Sequence, residues 1–307
     1  MERVYAILVN WNGKKDTLEC IKSIEKLNLK NVDFHLVIVD NDSSDDSVMA
    51  FGKLGLKKLD LKVIQNSKNL GFTGGNNVGI RFAIDQRAEY ILVLNNDTVV
   101  DSDLVKNFLK VFKKDEKVGV ATGKIYFYKG YEFHKERYKK EELGKVIWSA
   151  GGDIDWKNVY GTNHGVDAID EGQFEKEGET DFATGACSMF RVSALIESGI
   201  YDERYFAYLE DLELSQRIKK KGWKVFYVPK AILWHKVSQS SKIGGELNDY
   251  FTTRNRMLFG LTYAGARARL ALVRESIRLL IKGREWQKRG IKDYYLGRFG
   301  RGSWPEK

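Results

Sequence analysis

Cysteine is almost missing from this 307-residue chain. Cys20 and Cys187 are its two cysteines, far apart and outside any CxxC, which leaves too few for a disulfide framework or a zinc ligand set and suits a reducing cytoplasm. Long hydrophobic runs are missing too. No stretch approaches the roughly 18 consecutive apolar residues that a membrane-spanning helix needs, and the opening VYAILVN is too short for the core of a signal peptide. The expectation is a soluble protein that could still lie against a membrane. There is no GxGxxG and no GKS or GKT, so neither a dinucleotide fold nor a P-loop is supported.

A hydrophobic content of 43% is enough for a sizeable core, as one large domain or a domain with an appendage. The formal charge of +9 is unevenly placed: from Arg254 to Lys307 there are 14 Lys and Arg against 4 Asp and Glu, which leaves 37 against 38 for the rest. The basic character therefore belongs to the C-terminal tail.

Short apolar runs alternate with helical periodicity through the first 125 residues. VYAILVN, FHLVIVD, LKVIQN, EYILVLNND and VGVATGKIY read as five strands, and Leu18, Ile21, Ile24 and Leu27 repeat at helical spacing. This pattern predicts a parallel sheet with helices on both faces, and the unbroken apolar character of LVIVD and ILVLN agrees with strands covered on both sides. Residues 126–180 are rich in Lys, Glu, Gly and Tyr with little periodicity and read as a large insertion or loop region on the site face. LEDLELSQRIKKKGW predicts a helix that stops at Gly222, and a helical tail follows.

In sheets of this kind ligands bind beyond the carboxyl ends of the strands, and four strand ends carry polar clusters: NWNG, DNDSSDDS, NLGFTGGNN and NND. Each alone is explicable as turn or cap chemistry, but four along one sheet edge point to a site. Asp40 could accept hydrogen bonds from a base edge or a ribose hydroxyl. Gly71, Gly74, Gly75 and Gly79 permit close backbone approach. Asp97, one carboxylate beside Asn95 and Asn96, suits Mg2+ or Mn2+, which take oxygen ligands and complete their shells with phosphate and water.

The set VNWNG, VDNDSSDDS, NLGFTGGNN, LNNDT, TGACSMFRVSAL, YDERYFAYLEDLELSQRIKKKGW and LWHK, spanning roughly residues 3–240, resembles the family 2 glycosyltransferases of the GT-A fold, in particular their rhamnosyltransferase-like branch. The resemblance implies an α/β fold with a Rossmann-like, mixed but mainly parallel sheet flanked by helices, a catalytic domain over residues 1–240 and a C-terminal helical extension over 241–307. It implies that NND stands for the family's Asp-x-Asp motif, with Asp97 on a divalent cation and Asn95, beside Asn96, facing the nucleotide. Asp40 and Asn69 would hold base and nucleoside, Val9 and Asn10 would line the slot with Gly71 and Gly75, and Gly185 and Ala186 would leave room for the donor sugar.

The same resemblance makes a carboxylate of Glu210-Asp211 the general base of an inverting transfer, with Asp211 first and Glu210 the alternative, and gives His235 to the cation. From the residues alone, Glu210 and Asp211 are equally explained as acidic residues at a helix start. Trp148, Trp156 and Tyr160 are candidate acceptor-stacking or core aromatics. The implied function is transfer from a nucleoside-diphosphate sugar, dTDP-L-rhamnose or a UDP-sugar, to a cell-surface glycan or lipid-linked precursor. The rivals are a catalytically silent nucleotide- or carbohydrate-binding protein and, lower, a sugar-phosphate nucleotidyltransferase, whose Gly-rich basic loop NWNGKKD lacks. The cationic amphipathic tail suits packing on protein or peripheral contact with an anionic membrane, at the inner face of the cell membrane. A nucleic-acid partner is not expected, for want of any RNA-binding signature.

Overall fold

The computed structural model describes residues 1–56, 59–237 and 245–305; the boundary expected at residue 240 lies outside them. Twelve strands occur among the described residues: β1 (Glu2–Asn10), β2 (Val32–Asp40), β3 (Asp60–Gln65), β4 (Tyr90–Leu94), β5 (Thr98–Val100), β6 (Val118–Phe127), β7 (Ile147–Ser149), β8 (Gly152–Asp155), β9 (Tyr160–Asn163), β10 (Gly178–Glu179), β11 (Cys187–Arg191) and β12 (Lys224–His235). The helices are α1 (Lys14–Ile24), α2 (Ser47–Gly52), α3 (Gly71–Asp85), α4 (Leu104–Lys114), α5 (Val192–Ser198), α6 (Glu210–Lys220), α7 (Glu246–Tyr263), α8 (Ala266–Lys282) and α9 (Glu285–Tyr295).

The main sheet runs β10-β12-β6-β11-β4-β1-β2-β3. β3, β2, β1 and β4 are parallel neighbours, and β6 pairs in parallel with β12. β11 enters between β4 and β6 antiparallel to both, so the mainly parallel sheet carries one reversed strand in its middle. Alternate residues divide between two cores: Val4, Ala6, Leu8, Leu36, Ile38 and Leu92 pack against α1, α2 and α4, while Tyr5, Ile7, Val37, Val39, Ile91 and Val93 pack against α3, α5 and α6. That two-sided burial is why these strands are apolar at successive positions.

The aperiodic segment 126–180 holds β7 to β10 and is pinned to the sheet by wholly buried Lys124, whose ammonium meets Asp170 at 2.8 Å and also reaches Glu175; the Tyr126 hydroxyl donates to the same Asp170 carboxylate. A buried ammonium needs such partners, and one carboxylate serving two donors fixes the excursion. Lack of periodicity here reflects short strands held by side-chain bonds.

A third core joins the β8–β9 hairpin, the start of α6 and the tail: Ile154, Val159, Phe182, Tyr205 and Leu212 pack with Met257 and Phe259 of α7, Leu272 of α8 and Ile291 of α9. The tail apolar residues thus divide, with Leu258 and Leu272 buried and Leu270, Val273, Ile277 and Ile281 exposed.

Candidate functional site

The carboxyl ends of β1 to β4 open into a cavity of about 740 Å³ lined by Val9, Trp11–Gly13, Asp16, Asn41, Asn69, Gly71, Phe72, Asn76 and Leu94–Asp97 on the sheet side. Phe206–Tyr208, Gly245–Leu247 and the C-terminal Arg301, Trp304 and Pro305 close the other side. Of the residues expected here, Val9, Asn69, Gly71, Asn95, Asn96 and Asp97 reach the wall.

Asn10 and Asp40 do not line this wall, because they form a polar brace behind it. Asp40 is fully buried; its carboxylate accepts from the Ser43 backbone N–H at 2.9 Å, the Ser43 hydroxyl at 2.7 Å and Asn10 Nδ2 at 2.8 Å. Asn10 Oδ1 accepts from the Thr17 hydroxyl at 2.7 Å, and that hydroxyl takes Asn96 Nδ2 at 2.8 Å. Buried polar groups must be paired, and this chain of bonds sets the edge of the cavity from β1 to β4. The neighbouring Asn41 lines the cavity, bonding the Gly71 carbonyl at 2.8 Å while accepting from Asn66 at 2.8 Å.

The glycines of NLGFTGGNN open a helix: Gly71 has φ +71°, and a Cβ there would lie 2.5 Å from the Phe206 ring and 2.6 Å from its carbonyl oxygen. At Gly75 a Cβ would meet Val9 and Asn41, each at 2.8 Å. These close approaches let α3 start directly against the cavity wall.

Asp97 and His235 come together as expected, with Oδ1 3.1 Å from Nε2 and both side chains largely buried. Asn95 Nδ2 is 3.5 Å from the same ring nitrogen, and Trp148 meets the imidazole edge-on at 4.8 Å. Among the described residues no cluster of three or more His, Cys, Asp or Glu side chains could hold a metal. One carboxylate at the cavity wall with one imidazole directly behind it nevertheless fits a divalent cation that takes its remaining ligands from phosphate oxygens and water.

Glu210 and Asp211 begin α6, reached through a loop with Phe206, Tyr208 and Leu209 all at positive φ, +64°, +69° and +64°. None is glycine, so the turn stores strain. Most of its bonds come from α7: Asn255 Nδ2 reaches the carbonyls of Tyr205, Ala207 and Tyr208 at 2.9, 2.7 and 2.9 Å, and wholly buried Arg254 donates to Arg204 and Tyr205 at 3.0 Å and to Gly300 at 2.6 Å, while the Thr73 N–H of α3 donates to the Phe206 carbonyl at 3.1 Å. Arg254 thereby joins the α6 entry loop to the C-terminal strip that walls the cavity.

Asp211 accepts from the Gly185 N–H at 3.0 Å and the Leu212 N–H at 2.8 Å. Burial raises its pKa against the lowering effect of these N–H groups. Burial raises Glu210 well above the ordinary glutamate range, and the Asp211 charge adds to it; among the described residues Glu210 Oε2 has no hydrogen-bond partner. The pair therefore favours a neutral Glu210 beside an ionised Asp211. Gly185 packs against the cavity residue Phe72, and the Ala186 carbonyl accepts from the Asn95 N–H at 3.0 Å, so backbone connects the carboxylate pair to the Asn95–Asp97 corner.

Trp156 stacks on Phe259 in the third core at 5.7 Å, and exposed Tyr160 lies under the Arg256 guanidinium. Both thiols are buried, and burial pushes Cys20 up to about 12. Arg254 and Asn255 escape sequence reading because the carbonyls they serve are about 50 residues away, and Arg301 and Trp304 because the tail brings them to the cavity only in the fold. The RNR run within a helical pattern was the single local signal.

The family description "Glycosyltransferase like family 2" matches residues 2–260. The poly-beta-1,6-N-acetyl-D-glucosamine synthase of Staphylococcus epidermidis is 25% identical over 245 residues, 80% of this chain and 52% of that protein; its counterpart in Staphylococcus aureus strain MSSA476 is 26% identical with the same coverage. The chain thus spans about half the length of these curated relatives. Among solved structures, the mannosyltransferase PcManGT from Pyrobaculum calidifontis in complex with GDP-Man and Mn2+ superposes with a TM-score of 0.57 at 13% identity, covering 99% of this chain and 76% of that one. S. aureus TarS in complex with UDP-GlcNAc gives 0.57 at 16% identity over 96% and 79%. These likenesses establish the GT-A fold, and with the match over residues 2–260 the chain belongs to the family 2 glycosyltransferases.

Proposed function

We propose that the protein is an inverting glycosyltransferase that moves a sugar from a nucleoside-diphosphate donor to a hydroxyl of a cell-surface glycan or its lipid-linked precursor, at the inner face of the cell membrane. The observation that carries this reading is the linkage of two carboxylate centres beside one cavity: Asp97 at its wall with His235 behind it, and Asp211 held by the N–H of Gly185, which packs on the lining residue Phe72. A UDP-sugar is the first donor to test, since the relatives are named for N-acetylglucosamine polymers and TarS was solved with UDP-GlcNAc; dTDP-L-rhamnose is the second.

In this mechanism the nucleoside diphosphate occupies the cavity, its base and ribose between Val9, Asn41, Asn69 and the Asn95–Asn96 amides. Asp97 and His235 would hold Mn2+ or Mg2+, which supplies positive charge beside the diphosphate as it leaves. Asp211 accepts the proton of the acceptor hydroxyl, whose oxygen attacks the anomeric carbon opposite the diphosphate. The carbon–oxygen bond to phosphate breaks with its electron pair leaving on the diphosphate, and the configuration inverts. Burial moves the Asp211 pKa toward the operating pH, which is the direction that favours a general base. Gly185 and Ala186 present little bulk where the donor sugar would sit.

Thermal-shift binding of UDP, dTDP, GDP and CDP, each with and without Mn2+, tests the site. Metal-dependent stabilisation by UDP or dTDP is expected. No shift with any diphosphate would favour a binding protein of other specificity.

A further inference from the structure

Helix α8 is the least covered helix of the tail. Leu272 and Ser276 are its buried residues, whereas Leu270 is 61%, Ile277 53% and Ile281 68% exposed, with Val273 beside them at 36%. At about 100° per residue these four fall within an arc of about 80°. Arg267, Arg274, Arg278 and Lys282, all exposed, follow in the next arc of about 80° on the same outward side.

The remaining charges of α8, Glu275 and Arg269, and Arg284 just after it, have partners within the protein. Glu275 binds Arg256 at 2.8 Å, Arg269 donates to the Ala264 carbonyl at 2.7 Å, and Arg284 forms an ion pair with Asp249 of α7. Among the described residues the four outward cations have no carboxylate partner, and Glu275, the acidic residue of α8, lies about 20° beyond their arc and is paired with Arg256. An apolar stripe flanked by unpaired cations is complementary to a surface that is apolar beneath and anionic above.

We propose that this face of α8 docks on an anionic lipid bilayer, with Leu270, Val273, Ile277 and Ile281 entering the headgroup boundary and Arg267, Arg274, Arg278 and Lys282 on lipid phosphates. The Arg284–Asp249 pair sets the end of α8 against the first turn of α7, whose Glu246 and Leu247 line the cavity. Docking would thus hold at the bilayer a helix whose end lies beside cavity-lining residues of α7. No helix among the described residues is long and apolar enough to cross a membrane, and surface docking does not need one. The inference rests on the membrane setting proposed above, but not on the transfer chemistry, because vesicle binding is read without donor or metal.

The test is co-sedimentation of the full chain with vesicles of phosphatidylcholine alone or with phosphatidylglycerol added, at low and high salt. Salt-sensitive binding to the anionic vesicles is expected. It should weaken roughly 30-fold in Arg274→Gln/Arg278→Gln, from two charges lost at the surface, and disappear in Ile277→Glu/Ile281→Glu. These positions are exposed, so unchanged melting temperatures would establish that both variants fold. Absence of binding, equal binding by both variants, or a self-association of the wild type that Ile277→Glu/Ile281→Glu abolishes while vesicles leave the protein unbound, would each overturn the proposal. Nucleotide binding measured on the same preparations separates a failed membrane face from a failed transferase reading.

Discussion

Replacing Asn255 by Ala removes the clamp on the strained loop that delivers Asp211. Asn255 Nδ2 serves the carbonyls of Tyr205, Ala207 and Tyr208, and at about 1 kcal/mol net for each buried contact the loss is about 2–3 kcal/mol. Phe206, Tyr208 and Leu209 at positive φ store about 1 kcal/mol or more apiece. Clamp and strain are thus of similar size, and without the clamp the loop has reason to relax to ordinary dihedrals. Relaxation would swing the start of α6, and a carboxylate misplaced by about 1 Å costs on the order of 100-fold in rate. The expected result for Asn255→Ala is a melting temperature lower by about 4–8 °C and a turnover lower by about 100-fold at a temperature where the protein is still folded. Ser276→Ala is the control: it loses the 2.7 Å contact with the Tyr295 hydroxyl in the tail, and so should lose stability but not turnover. If Asn255→Ala keeps wild-type turnover below its melting transition, the loop does not depend on this clamp and the reasoning fails.

Three further outcomes follow from the geometry. Gly71→Ala forces a Cβ into the Phe206 carbonyl at a positive φ and should cost about 2–4 kcal/mol in denaturant unfolding, whereas Gly52→Ala, with open space around it, should not. Asp97→Asn should leave the fold intact but remove the Mn2+-dependent part of nucleotide stabilisation in a thermal-shift assay, and equal metal dependence would show that the cation sits elsewhere. Glu210 has a pKa raised above its ordinary 4.5 by burial and by Asp211, so the folded state holds its proton more tightly than the unfolded state. Its stabilising contribution is present below the ordinary value and is lost as pH rises through the raised one. Glu210→Gln should flatten that fall in melting temperature with rising pH, and an unchanged pH profile would place the titration on another group.

Much of the catalytic domain is legible locally, because a strand buried on two faces must be apolar at successive positions, as in Val4–Leu8 and Ile91–Leu94, and because its polar end must then stand out. The Asn95–Asp97 corner follows from that contrast, and α6 follows from Glu210, Asp211 and Gly222. Asp40 shows where local reading stops. A carboxylate at a strand end looks ligand-facing, yet three internal donors surround it, and those donors are Ser43 and Asn10, whose convergence depends on the register of β1 with β2. The reversed strand β11 is equally hidden, since direction is set by a 60-residue excursion and by the bonds of Lys124 rather than by its own CSMFR. The tail looked uniform in composition, but α7 spends Arg254 and Asn255 inside the protein while α8 keeps its cations outside, a difference settled by partners 50 residues away.

The most direct measurement is release of UDP or dTDP from the matching donor sugar by the wild type and by Asp211→Asn, with donor affinity determined calorimetrically for both. The account predicts that Asp211→Asn binds donor like the wild type but turns over 100-fold or more slowly, the usual range for a lost general base being about 10²–10⁴. Equal turnover by the two proteins would contradict it.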